Sequence, residues 1–187
     1  MRNFRIDRIA KIRSREKTPV SLTSGGCVVI HVLPLGAFTE KTTIDIKEIY
    51  DSNVIPIIGQ RPGYGTKQIN FDGIVTFVVD SKDKPFIYTQ FFRTGAVEAV
   101  EISPTDQNGT YLVEGLQVTR FLEDYRKFIA KYNIKSPYYV FLSYVNVRGS
   151  KLFVCEKERV CRGHDGKPRP SRSQKWLSKL HSRNAIC

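Results

Sequence analysis

Apolar residues recur along the chain at two different periods, and the periods divide it into helices and strands. Phe4, Ile6, Ile9 and Ile12 return mostly every third position with Arg5, Arg8 and Lys11 between them. This spacing predicts an amphipathic helix over residues 2–15, ended by Thr18-Pro19. Cys27-Val-Val-Ile-His-Val-Leu33 is a nearly continuous, β-branched run between Gly25-Gly26 and Pro34, the pattern of a buried strand. From Pro34 to Asn70 the signal weakens to one short element around Ile44–Tyr50 and a loop punctuated by Pro56, Gly59, Pro62, Gly63 and Gly65, a candidate binding loop.

Strand-like runs rich in β-branched and aromatic residues follow at Ile74–Val79 and Phe86–Phe92, on either side of the polar turn Asp80–Lys84. Arg93-Thr94-Gly95 then separates the second run from Ala96–Ile102, so three strands form a meander. Val118, Phe121, Leu122, Tyr125, Phe128, Ile129 and Tyr132 fall at steps of three and four and predict the strongest helix. Tyr138–Val147 and Lys151–Cys155 read as two more strands joined at Arg148-Gly149-Ser150. Hairpins join antiparallel neighbours, and an amphipathic helix must bury its stripe on a sheet face. The predicted fold is α+β: a mainly antiparallel sheet built from hairpins, one long amphipathic packing helix and an N-terminal helix. It forms a single domain over residues 1–155. Beyond it, apolar density falls and residues 156–187 read as a basic, flexible tail.

Charge changes this picture by its placement. Residues 1–17 carry seven basic and two acidic side chains and residues 156–187 nine and three, which leaves +1 of the net +12 for everything between. Neutralising phosphates supplies most nonspecific affinity for nucleic acid, so the candidate DNA contacts are the basic ends. In the first arm these are Arg2, Arg5, Arg8, Lys11, Arg13 and Arg15; in the second, Arg162, Lys167, Arg169, Arg172, Lys175 and Lys179. Charged ends that only keep a chain in solution look the same. With no apolar run of about eighteen residues and no signal-peptide core, a cytoplasmic protein without a membrane partner is expected. Its four cysteines lack a disulfide framework and are expected as thiols.

Other chemistry is thinner. Gly59-Gln-Arg-Pro-Gly63-Tyr-Gly65-Thr-Lys67 has the glycines and lysine of a phosphate loop, but Gln68 follows the lysine and no helix follows the loop. Cys155, Cys161, His164, His181 and Cys187 lack the two tight pairs of a zinc site, so no metal and no cofactor are expected. Asp72, Glu98 and Glu101 could share a magnesium ion, yet Glu98 and Glu101 lie three apart on a strand and face opposite ways. Solvated carboxylates, or a pair to Arg93, are the simpler expectation. His31 sits in an apolar strand without an identifiable partner and reads as a core histidine. Alternation places Tyr88, Gln90 and Phe92 on one face and Thr89 and Phe91 on the other, so the aromatics read mainly as core.

The segments FRIDRIAKI, TPVSL, VVIHVLPLGAF, INFDGIVTF, YTQFFRTGAVEAVE and YYVFLSYVNVRGSKLFV occur in that order over about the first 155 residues. Together they resemble the C-terminal region of bacterial DNA-binding proteins of the AlbA-type, Schlafen-related family, which also carry an ATP-binding label. In that family the DNA-binding label rests on an N-terminal AlbA-type domain, which is expected to be absent here. The resemblance implies a non-catalytic accessory or interaction module of a DNA-associated bacterial protein. Its expected partners are DNA, a further protein, or the missing N-terminal domain on another chain. The alternative it implies is a nucleotide-binding, ATP-dependent regulator or enzyme using Gly59–Lys67.

Overall fold

The computed structural model describes residues 1–39, 43–51, 55–60, 62–102, 110–112, 115–132, 134–149 and 151–153. In chain order the elements are α1 (Arg2–Ser14), β1 (Cys27–Pro34), α2 (Gly36–Thr39), α3 (Ile46–Asp51), β2 (Thr66–Ile69), β3 (Gly73–Val79), β4 (Pro85–Phe92), β5 (Val97–Ile102), β6 (Thr110–Leu112), α4 (Gly115–Ala130), β7 (Tyr138–Val145) and β8 (Lys151–Phe153). The tail 156–187, with its six candidate DNA contacts, lies outside the described residues.

Six strands form one sheet in the order β2-β3-β4-β5-β1-β7, with every neighbouring pair antiparallel. The fold is therefore α+β. The β3-β4-β5 meander follows the three strand-like runs, and Asp80 closes its first turn by accepting the N–H groups of Lys82 and Lys84 at 2.8 and 3.0 Å. β1 comes first in sequence but is inserted between β5 and β7, which buries all eight of its residues. Lys151–Phe153 departs from expectation: β8 makes no hairpin with β7 and pairs in parallel with β6 in a separate two-stranded ladder.

Alternation along each strand gives the sheet two apolar faces. On one, Ile30, Val32, Phe91 and Ala99 pack with Phe121, Tyr125, Phe128 and Ile129 of α4 and with Ile46 and Ile49 of α3. The Phe91 and Phe128 rings meet edge to face at 5.0 Å, and burying a ring of that size contributes about 2–3 kcal/mol. Ile55, Ile57 and Ile58 join this core, so the first half of the candidate binding loop serves as packing. On the other face Ile12 of α1 packs with Cys27, Val29, Val75, Tyr88 and Val100. Ile6, expected on the inner stripe of α1, is 56% exposed, whereas Arg8 is 4% exposed. The helix is rotated to turn Arg8 inward because the sheet beneath it holds a carboxylate.

Candidate functional site

The carboxylate is Glu98 of β5, and three other elements converge on it. Register pairs His31 of β1 with Glu98 of β5, and Glu98 with Gln90 of β4. Same-face alternation then brings Tyr88, two residues along β4, to the same side. Arg8 of α1 closes the cluster from above. Its Nε donates to Glu98 Oε2 at 2.8 Å and its Nη2 to Oε1 at 2.6 Å, a bidentate pair. Tyr88 donates its hydroxyl to Oε1 at 2.7 Å, and His31 Nε2 lies 3.0 Å from Oε2. A carboxylate only accepts, so Nε2 carries the proton of that bond. His31 Nδ1 is buried and has no hydrogen-bond partner among the described residues. Phe92 lies under the Arg8 guanidinium at 5.4 Å, and Phe4 meets Phe92 and His31 edge on at 5.2 and 6.3 Å.

Burial alone would raise the Glu98 pKa, but hydrogen bonds from Arg8 and His31 and the Arg8 charge outweigh it and hold the group at about 2. Burial likewise works against the Arg8 charge, and the Glu98 hydrogen bonds and negative charge more than offset it, so its pKa rises further. Tyr88 is pushed well up, first by burial and then by the Glu98 charge. Glu98, His31 and Tyr88 are 0% exposed. The cluster is a charge network sealed between α1 and the sheet, and it pins the helix to the fold.

This overturns the expectation of Glu98 as a solvated residue or a partner of Arg93, whose Nε instead donates to the Phe71 carbonyl at 3.0 Å. Asp72 lies in the β2–β3 turn, where its carbonyl accepts the Arg93 N–H at 2.9 Å, and Glu101 faces away from Glu98. The three acids share no site. Arg8 is also corrected as a DNA contact, because its charge is enclosed and neutralised. Other first-arm residues are engaged in part: Arg5 donates to Ser143 Oγ at 3.0 Å and lies over the Phe141 ring at 4.9 Å. Arg15 donates to the Gly25 carbonyl, and Lys11 pairs with Asp7 at 2.7 Å. Arg2 and Arg13 are exposed.

In the glycine loop, Lys67 lies on β2 and donates to the Tyr50 carbonyl at 2.6 Å, with its ammonium 5.0 Å from the Tyr50 ring centroid. Gly65 has φ +95°, and a Cβ there would stand 2.5 Å from the Phe77 carbonyl oxygen. That glycine allows close passage of the chain against β3, a sufficient reason for it without a phosphate. Between the end of β1 and the segment leading into β7 lies a cleft of about 270 Å³, with Pro34, Thr94, Ile134, Lys135 and Pro137 among its walls.

β7 is the other feature of consequence. Among the described residues it is a terminal strand of the sheet, and its ladder to β1 runs over eight residues without a bulge. Tyr138–Val145 contains no charge and no proline. Tyr139, Val140 and Leu142 are 46, 48 and 43% exposed. The alternation Tyr139, Phe141, Ser143 faces the α1 side and Val140, Leu142 the α4 side, since Val140 and Leu142 lie opposite Val32 and Ile30. Sequence reading identified the strand but not its edge position, which depends on β1 being inserted beside it.

Compared with family models, with curated proteins and with solved structures, the chain matches none. Among the described residues no group of His, Cys, Asp and Glu could hold a metal ion, and no helix is long and apolar enough to cross a membrane.

Proposed function

We propose that this chain is a non-catalytic interaction module of a DNA-associated bacterial protein and that it docks a partner polypeptide along β7. The DNA-associated setting follows the family resemblance. The docking reading is carried by β7 itself, an edge of eight uncharged residues with three exposed apolar side chains. Sheets ordinarily protect such an edge with charges, prolines or a bulge, because its unpaired N–H and C=O groups template further pairing. β7 has none of these guards, as suits a strand kept for a partner. The Arg8–Glu98–His31–Tyr88 network, enclosed as it is, supports an architectural role for the remaining charge. Weak, salt-sensitive DNA contact belongs to the same proposal through the exposed Arg2 and Arg13 and the basic residues between Arg162 and Lys179.

A photo-crosslinking residue placed at Leu142 of the full chain, with Lys82 in the β3–β4 turn as control, tests docking in the cells that make the protein. A discrete adduct from position 142 alone is expected. Equal adducts at both positions, or none at either, would remove the reading.

A further inference from the structure

We infer that the occupant of β7 is an extended acidic segment of another protein, with acidic and apolar side chains in alternation, paired strand to strand with β7. This rests on β7 being a docking edge and names what docks there.

α1 tracks the strand. Arg5 reaches Ser143 at 3.0 Å and covers Phe141, and Asn146 Nδ2 donates to the Arg13 carbonyl at 3.1 Å. At 3.6 residues per turn, Arg2, Arg5 and Arg13 share the flank of α1 toward β7, while Asp7 and Lys11, paired at 2.7 Å, lie toward the other. Lys135 precedes the strand and Arg148 follows it, and from Tyr125 to Cys155 the sequence has no Asp or Glu. A neutral, apolar edge is therefore bordered by positive charge along one side and at both ends.

This border selects among occupants. Two copies paired antiparallel across a twofold axis would set their α1 helices on one face of the joined sheet, with Arg2, Arg5 and Arg13 facing their counterparts. The same pairing would bring Lys135 of each copy toward Arg148 of the other, so charge opposes self-pairing. A nucleic acid would satisfy the arginines, but it has no N–H and C=O ladder for the strand edge and no side chains for Val140 and Leu142. An extended polypeptide meets every demand. Its backbone continues the sheet, the side chains on one face reach the arginines of α1, and those on the other lie beside Val140 and Leu142.

The test titrates the full chain with three labelled probes: a peptide of alternating valine and glutamate, its valine–lysine counterpart, and single-stranded oligothymidine. The glutamate peptide is expected to bind at least about ten-fold more tightly than either and to slow hydrogen exchange at the β7 amides. Arg2→Glu with Arg13→Glu should reverse the preference between the peptides, and Val140→Lys with Leu142→Lys should abolish binding. All four positions are exposed, and circular dichroism checks that the variants fold. A glutamate peptide N-methylated at alternate residues, unable to complete the ladder, should fail against the unaltered chain and needs no protein variant.

Equal binding of both peptides, lost in the lysine variant, would leave β7 as a docking edge and sink the acidic specificity. Glutamate-peptide binding that survives both the lysine variant and N-methylation would be general attraction to a basic chain and would sink it too. Oligothymidine binding alone, lost with Arg2→Glu and Arg13→Glu, would overturn the inference and the docking reading together. A dimer by sedimentation, dissolved by Leu142→Lys, would make the occupant a second copy.

Discussion

Arg8, Glu98, His31 and Tyr88 come from four elements separated by up to 90 positions in the chain, and the Glu98 carboxylate holds the other three. Removing one partner of a buried ion pair leaves the other without compensation, which costs about 3–5 kcal/mol. Glu98→Gln is therefore expected to lower unfolding free energy by that amount in urea titrations. Arg8→Leu with Glu98→Leu should lose less than the two single changes added together, the sign of direct coupling in a double-mutant cycle. The cluster also sets an acid limit. Glu98 titrates at about 2 in the fold, below the ~4.3 of a solvated glutamate. A depressed folded-state pKa gives stability that is complete above the unfolded value and lost as pH falls toward the folded one. The contribution, on the order of 3 kcal/mol, should fade between about pH 5 and pH 2. Thermal melts across that range should lose part of their pH dependence in Glu98→Gln.

At the scale of elements, α1 has two roles that charge counting treats as one. Its outer residues Arg2 and Arg13 are exposed, but Arg8 and Ile12 are structural. Deleting residues 1–17 would uncover Glu98, His31 and the Val29–Val100 surface, so it is expected to collapse the cooperative melt rather than simply remove a basic arm. Any test of DNA contact through α1 must therefore use substitutions at Arg2 and Arg13. The loop before β2 follows the same logic of packing. Gly65→Ala would need a methyl 2.5 Å from the Phe77 carbonyl at φ +95°, and a loss of about 2 kcal/mol is expected in chemical denaturation.

At the scale of the whole molecule, the sheet is covered by α1 on one face and by α3 and α4 on the other, so the exposed apolar row of β7 lies at its lateral limit. Surface substitutions away from packed or paired groups usually change stability by less than about 0.5 kcal/mol. Val140→Lys with Leu142→Lys should accordingly leave the melting midpoint nearly unchanged while removing partner adducts. A matched change at Phe128, 2% exposed in the α4 core, separates the two kinds of apolar residue: Phe128→Ala should cost about 3–5 kcal/mol.

The sequence by itself determined the elements with strong periods: α1, β1, the β3-β4-β5 meander, α4 and β7, and with them the α+β class. Period and turn chemistry are local, and a window of a dozen residues contains them. It left β2 and α2 open and joined β8 to β7 in a hairpin where the structure pairs it with β6, since short segments with mixed polarity carry no period. It also marked His31, Glu98 and Arg8 separately, as a histidine in an apolar strand, an acid in an alternating one and a base in a helix. Only tertiary structure decided that they meet, because insertion of β1 beside β5 sets His31 against Glu98 and rotates α1 to answer the charge. The same insertion made β7 an edge. Long-range pairing is not written in local spacing, and both the sealed cluster and the candidate docking strand depend on it.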